Sequence, residues 1–402
     1  AKFIRMRFNI YNSLIFAILL FTVFSFSQEK IALQGSIFDT DNYEVPYAAV
    51  GIVKKHIGTS STDEGTFYFA ITERELQDTL QISCIGYKTF KIKVKDFIER
   101  KNKRIILEQK ITELSDVYVL TPNDYVKLAI KNLKQNTISS NHQLKMLYRR
   151  WSVEDNICRY YIEHYINAID RGPSSYMVDF AIEQSRTSSE YRFVKNEQKI
   201  HALRYMEMNN PIRKGLPIRS YKWKKVGDSS YDGEDIIIVE GTINKADYVR
   251  LFIGFDSYSI YKIEMYKDPQ IGKSLEATYI YKKNDKGKLY LSYHNREWKG
   301  SSKLTERIKQ IMQNNGQYAP NYIPIAYRHE VFVLEVEENK KKFNLAGVKG
   351  DMDMTLFKVP FDSDFWNNIS LPPETTFFKK NIKELESLYD VPIETQFKYS
   401  NN

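Results

Sequence analysis

Apolar residues along the chain follow three successive patterns, and each predicts a different kind of structure. The first is an uncharged apolar run over 14–24, preceded by Lys2, Arg5 and Arg7 and followed by Ser25, Ser27 and Gln28. Basic, apolar and small polar stretches in that order make a secretory signal, so residues 1–28 are read as a cleavable signal peptide. The run is about half the roughly 20 residues that a spanning helix needs, which favours cleavage over anchoring. The second pattern, from Ile31 to about Leu107, is a series of short strand-like runs broken by Gly, Asp and Asn turn residues. That spacing suits a small antiparallel β-sandwich with no helix of its own. A first strand is expected over 34–39, a turn at Asp41-Asn42, and a second strand over 45–53 with Pro46 near its start, where a missing N–H costs least. A hairpin is expected over 58–69, turning at Asp63-Glu64-Gly65, and a closing strand over 80–87. Its core should hold Ile37, Val50, Ile52, Phe67, Phe69, Leu80, Ile82, Ile92, Val94 and Ile106.

The third pattern begins after a strand-like link over 111–120. Thr121 and Asn123 are N-cap candidates, and Val126, Ala129, Ile130 and Leu133 recur at helical spacing, so a helix is expected there. Past Leu144, strands are expected over 147–153, 158–169, 236–241, 248–256, 260–266, 275–282, 288–298 and 329–336, which together imply one large antiparallel sheet. Leu304, Ile308 and Ile311 share a face of a helix expected within 302–316, and the end reads as loop with Pro372-Pro373 and one short helix over 380–389. The fold class is therefore mainly β. The organisation reads as signal peptide (1–28), β-sandwich (29–110), linking strand and helix (111–143), large sheet (144–360), and C-terminal loop and helix (361–402).

Four ordered motifs refine the sandwich: Gly35 to Asp39, Pro46 to Val50, Gly58 to Phe67 with its Thr62-Asp63-Glu64-Gly65 turn, and Asp78 to Tyr87. Together they resemble the carboxypeptidase-regulatory-like domain of Bacteroidetes envelope proteins. The resemblance implies a transthyretin-like, seven-stranded sandwich that acts as a structural or interaction module. Receptors that carry such a domain continue into a plug and a barrel of about 22 strands. Here a helix follows instead, and fewer than 300 residues remain. The layout resembles the carboxypeptidase-like regulatory domain-containing proteins of flavobacteria, a resemblance that implies no activity. The run of strands over 249–256, 259–264 and 277–281 is similar to the meander of lipoprotein-carrier half-barrels, which implies a curved sheet able to cup an acyl chain. The competing reading is a plain sheet whose aromatic residues pack its core.

Composition narrows the function. The 29 Tyr and 23 Phe favour strands. The formal charge is +9, and removal of the signal segment leaves about +6. Lys222, Lys224 and Lys225 are interleaved with strand residues and form no recognition motif, so nucleic acid is not an expected partner. Two cysteines, Cys84 and Cys158, make no disulfide framework, and the absence of a cysteine over 24–30 argues against a lipid anchor.

Candidate chemistry is sparse. His294 and Glu297 have the H-x-x-E spacing of zinc carboxypeptidases, but zinc hydrolysis needs a further ligand far downstream, and only His329 follows in reach. Cys158 and His164 are expected on one strand face but too far apart for a dyad. Glu335, Glu337 and Glu338 read as a solvated charged stretch rather than a glycosidase pair, and Asp63 alone supplies too few oxygens for calcium. No catalytic, cofactor-binding or metal-ligating residue is assigned. The expected function is that of a non-catalytic, exported protein of the periplasm or outer-membrane periphery, binding or scaffolding another envelope protein or cell-surface component. The alternatives are a carrier of a lipid or other apolar ligand and, more remotely, a metal-dependent hydrolase.

Overall fold

The computed structural model describes residues 30–110, 120–173, 175, 177, 179–194, 210–244, 246–270, 272–344, 348–349, 353–357 and 359–401. The signal-peptide reading and most of the linking strand lie outside them. Strands β1 (Ile31–Asp39), β2 (Ala49–Ile52), β3 (Ile57–Ser60), β4 (Thr66–Ile71), β5 (Thr79–Ser83), β6 (Phe90–Lys93) and β7 (Arg104–Leu107) build the expected sandwich. One sheet has the order β4-β1-β7, and the other, β3-β2-β5-β6, is joined at β3 to the large sheet of the rest of the chain. Period-two alternation drives Leu33, Ile37, Phe67, Phe69, Leu80 and Ile82 between the sheets. A fully buried side chain of this size contributes roughly 1.5–3 kcal/mol relative to exposure.

Three details differ from the sequence reading. Residues 58–69 are not a hairpin, because β3 pairs with β2 in one sheet while β4 pairs with β1 in the other. The Asp63-Glu64-Gly65 turn is a crossing between layers, closed by the Gly65 N–H donating to the Thr62 carbonyl at 3.1 Å. Ile106 is 45% exposed, and its neighbours Ile105 and Leu107 are buried in its place. The phase of β7 is set by parallel pairing with β1, which puts Ile105 opposite Ile37. Finally, a short helix, α1 (Val94–Glu99), carries Val94 and Phe97 into the core.

Helix α2 (Pro122–Asn136) starts as the pattern requires. Thr121 caps it, its hydroxyl accepting from the Asp124 N–H while the Asp124 carboxylate accepts from the Thr121 N–H. Tyr125, Val126, Ala129 and Leu133 form its buried face.

The large sheet follows: β8 (His142–Glu154), β9 (Ile157–Asp170), β10 (Asp179–Thr187), β11 (Lys222–Tyr231), β12 (Glu234–Thr242), β13 (Tyr248–Gly254), β14 (Ile260–Gln270), β15 (Lys273–Lys283), β16 (Leu289–Lys303), β17 (Tyr322–Glu337) and β18 (Val348–Lys349). Its spatial order is β11-β12-β13-β14-β15-β16-β17-β8-β9-β10-β18, antiparallel throughout. Bulges interrupt most pairs, as in the Ser152/Val153 and Ile280/Tyr281 shifts, and increase the local twist that curls such a sheet.

The sheet has two covered faces. Its inner face carries Leu144, Met146, Ile166, Val249, Leu251, Ile263, Ala277 and Val331, packed in one cluster with α2. The outer face takes the sandwich and the C-terminal segment. That segment is not a loop with one helix: it folds as α5 (Ser363–Asn368), α6 (Thr376–Ser387) and α7 (Ile393–Ser400), after a four-residue α3 (Pro211–Lys214) and α4 (Glu306–Asn314) earlier in the chain. Phe378 packs edge-on against Trp151 and Tyr161. Beside them lies a buried triad in which Arg149 Nε meets Glu163 Oε1 at 2.6 Å and Arg186 meets Glu163 Oε2 at 2.5 Å. In α4, Met312 rather than Ile311 faces inward beside Leu304 and Ile323. Ile308 is followed on its face by both Ile311 at i+3 and Met312 at i+4, and packing against Ile323 and Tyr327 selects Met312.

Candidate functional site

The sandwich meets the large sheet along β11, β16 and β17, where Ile57 of β3 pairs with Glu335 of β17, and through polar and aromatic contacts. Tyr47 stacks on Tyr293 with ring centroids 4.7 Å apart. Arg328 reaches Asp63 at 3.3 Å, and the Gly86 N–H donates to the Ser230 carbonyl at 2.7 Å. Ser83 Oγ and Tyr231 OH lie 3.2 Å apart. This partial contact leaves a crevice with two lobes, both bordered by Ala49, Ser83 and Tyr231, so the Ser83–Tyr231 pair stands between them.

The larger lobe, about 850 Å³, runs between the β2–β3 turn, β5–β6 and the β15–β16 turn. Of its acids, Asp285 faces His56 at 3.4 Å and Asp232 accepts from Thr89 at 2.9 Å, whereas Asp78 meets Lys55 only at 4.0 Å and its buried Oδ2 has no hydrogen-bond partner among the described residues. Lys283 reaches Glu234 at 3.6 Å. Lys54, Lys91 and Lys282 also line the lobe, and among the described residues no carboxylate pairs with them. Lys282 lies over the Tyr290 ring at 5.5 Å, and burial pulls its ammonium down to about 8. With Lys54, Lys91, Lys282 and Lys283 set against Asp78, Asp232 and Asp285, the lining is basic on balance.

The smaller lobe, about 340 Å³, is apolar in character, lined by Val45, Pro46, Tyr47, Ile85, Phe252 and Ile280 among others. Burial pushes the Tyr47 phenol up to about 12 and the Cys84 thiol up to about 11, so both stay protonated at neutral pH. The arrangement as a whole is a basic pocket joined to an apolar one, which suits ligands with an acidic and a greasy end.

The residues weighed for catalysis do not assemble. His294 points to the inner face and Glu297, three positions on, to the outer one; Lys299 holds Glu297 at 2.8 Å. Cys158 and His164 do not share a face as expected. The register shift at Ser152/Val153 on the paired strand reverses the phase, so Cys158 packs with Phe378 and Leu385 outside, while His164 stacks near Tyr148 inside. Both cysteines are free thiols, and Cys84 lies in the sandwich. Glu335, Glu337 and Glu338 pair with Lys145, Lys342 and Lys286, and Lys224 and Lys225 pair with Glu240 and Asp228. Sequence reading missed Lys54, Lys91 and Lys282 because nothing in their local patterns marks them. Only the docking of the sandwich on the large sheet brings these three separate segments together.

Comparison with solved structures gives alignments over about half of the chain. A putative outer membrane lipoprotein-sorting protein domain from Vibrio parahaemolyticus aligns at 8% identity, covering 56% of this chain and 96% of that one, with a TM-score of 0.28. A LolA superfamily protein from Nitrosomonas europaea aligns at 13% identity, covering 56% and 98%, with a TM-score of 0.23. MucB, in its complex with MucA from Pseudomonas aeruginosa, aligns at 10% identity, covering 54% and 98%, with a TM-score of 0.19. At such scores the alignments settle neither topology nor ligand. No curated protein matches the chain. Within the chain, residues 33–119 match the CarboxypepD_reg-like domain.

Proposed function

We propose that the chain is a non-catalytic binding protein of the bacterial cell envelope, and that its crevice takes an acidic amphiphile. Lys54, Lys91 and Lys282 would receive the acidic end, and the lobe beside Tyr47 and Phe252 the apolar end. The observation that carries this reading is the lining of the basic lobe: Lys54, Lys91 and Lys282 face it with no carboxylate paired to them among the described residues, while Asp285 and Asp232 are taken by His56 and Thr89. Export is supported by the signal-like pattern of residues 1–28. An accessory role is supported by the CarboxypepD_reg-like domain, a quarter of the chain or less, set beside a sheet whose inner face is packed. The inner-face packing favours the crevice over an acyl-chain cup in the sheet itself.

The test is binding of dansyl-undecanoic acid to the mature chain, followed by dansyl fluorescence, with dansyl-undecyl-trimethylammonium as the cationic control. The acid should bind saturably and the cation at least tenfold more weakly. Lys54→Glu and Lys91→Glu, both at exposed positions, should weaken the acid at least tenfold together. Equal binding of both probes, or none, contradicts the reading.

A further inference from the structure

On the inner face of the large sheet, three cationic or imidazole side chains stand in one row across adjacent strands. Arg296 of β16 is the register partner of His329 of β17, and His329 is the register partner of Arg150 of β8. Strands lie about 4.8 Å apart, so the two arginines start about 10 Å apart, one on either side of the histidine, and the Arg150 guanidinium lies over the Tyr327 ring at 5.3 Å. The row is flanked by aromatic rows. Tyr279, His294, Tyr148 and His164 lie on one side, and Trp298, Tyr327 and Tyr160 on the other.

Like charges opposite one another on a sheet face repel, and a buried guanidinium without a counter-charge is costly. Arg150 is 1% exposed and His329 8% exposed. Arg150 Nη2 reaches Ser152 Oγ at 3.2 Å, whereas its Nε and Nη1 are buried with no acceptor among the described residues. Arg296 Nε and His329 Nε2 are likewise buried without partners. The acids nearby are committed elsewhere. Asp353 accepts from the Thr355 N–H at 2.8 Å, and its charge reaches Arg150 without an ion pair between them among the described residues. Glu163 faces the opposite side, between Arg149 and Arg186. Glu154 accepts from the Phe193 and Val194 N–H groups. Among the described residues, moreover, no three His, Cys, Asp or Glu side chains gather to hold a metal.

We propose that Arg150, His329 and Arg296 form a binding site for a phosphate-type oxyanion on the inner face of the sheet. Two guanidinium forks and an imidazole nitrogen match the several acceptor oxygens of a tetrahedral anion, which a point-charge lysine would not do as well. The anion supplies the missing acceptors to the Arg150 and Arg296 nitrogens and cancels the repulsion along the row. Half-buried Arg296 is the open end of the row, and Arg150 is its floor. This site is separate from the crevice: its residues lie on the other face of the sheet and share none of the crevice lysines.

The source of the phosphate, free or carried by an amphiphile, is decided by the probe. Thermal unfolding of the mature chain should be followed in inorganic phosphate, in octyl phosphate below its micelle concentration, and in chloride, all at one ionic strength. Stabilisation that saturates with inorganic phosphate and is absent in chloride supports the site. At least tenfold tighter action of octyl phosphate identifies a phosphate-bearing amphiphile, and equal action a free anion. Arg150→Met and Arg296→Gln should each weaken the phosphate effect at least tenfold, while Arg150→Met leaves the midpoint in chloride unchanged or raised. Should Arg150→Met fail to fold, Arg296→Gln carries the test alone. Phosphate acting no better than chloride, or phosphate stabilisation that survives in either folded variant, overturns the proposal. Lys54→Glu with Lys91→Glu leaves the phosphate effect intact, so loss of one site is distinguishable from loss of the other.

Discussion

Acidification from pH 6.5 to 4.5 should unfold the large sheet, because three histidines are held neutral inside it. His164 is wholly buried and His294 is 1% exposed. Burial is the main cause that pulls them down to about 4 and about 3 respectively, and it pulls His329 down as well. His164 faces Tyr148 and the Phe357 carbonyl, with Glu163 and Arg150 close enough to act on it. His294 and His329 stack edge-on at 5.9 Å and feel Arg296, with Arg213 acting on the first and Arg150 on the second.

The folded pKa values are depressed, so the unfolded chain takes up protons first, near pH 6.5. Stability is fully present above that pH and falls as pH drops toward 4. A histidine that stays neutral costs up to about 2.7 kcal/mol at pH 4.5, and three together cost roughly 5–8 kcal/mol once some water entry is allowed. That is of the order of a whole domain's stability. Glu163 and Asp170, held low chiefly by Arg186 and Arg213 against their burial, begin to lose their contribution only below about pH 4.5. In the window above it the histidines dominate, opposed in part by Glu154, whose carboxyl is raised by burial and takes up its proton first in the folded state. Urea unfolding by tryptophan fluorescence suits the test, since Trp151, Trp223, Trp298 and Trp366 all belong to the sheet or its outer cover. Stability should fall with a slope of two to three protons across the window, and His294→Phe should remove about one of them. A slope below one proton refutes the reasoning.

Two further outcomes follow from single contacts. Gly65 has φ +68°, and an added Cβ would meet the Ile37 carbonyl oxygen at 2.6 Å, so Gly65→Val should destabilise the sandwich by about 2 kcal/mol or more, read as a lower denaturation midpoint of the 31–107 unit. Glu163→Gln leaves Arg149 and Arg186 buried without a counter-charge and should cost about 3–5 kcal/mol in urea unfolding, whereas a loss below 1 kcal/mol would mean the triad is open to water.

Much of the fold is legible in local pattern. The α2 capping box, the Gly65 turn and the long alternating strands β13 to β16 all declare themselves within a few residues. Two strands do not. β10 carries Glu183, Gln184, Ser185 and Arg186, and β11 carries Lys222, Lys224, Lys225 and Asp228, so neither reads as a strand. In β10 the polar residues are buried because Glu163 and Asn401 from distant segments meet Arg186 and Thr187. The layer change at Asp63 to Gly65 is equally illegible, since a hairpin and a crossing use the same turn residues and only long-range pairing separates them. Phase was lost wherever a bulge intervened, as at Cys158. The candidate sites were the least legible of all. The crevice lysines come from three separate segments, and Arg150, Arg296 and His329 lie on three strands, joined only by register.

The crevice is tested most directly by hydrogen–deuterium exchange of the mature chain with and without saturating dansyl-undecanoic acid. Protection should rise over 51–57, 77–93 and 282–290, the segments that frame the basic lobe, and should stay unchanged over 144–152 and 323–333 on the sheet's inner strands. Protection confined to those inner strands, or no change in any segment at saturating probe, would contradict the crevice as the binding site.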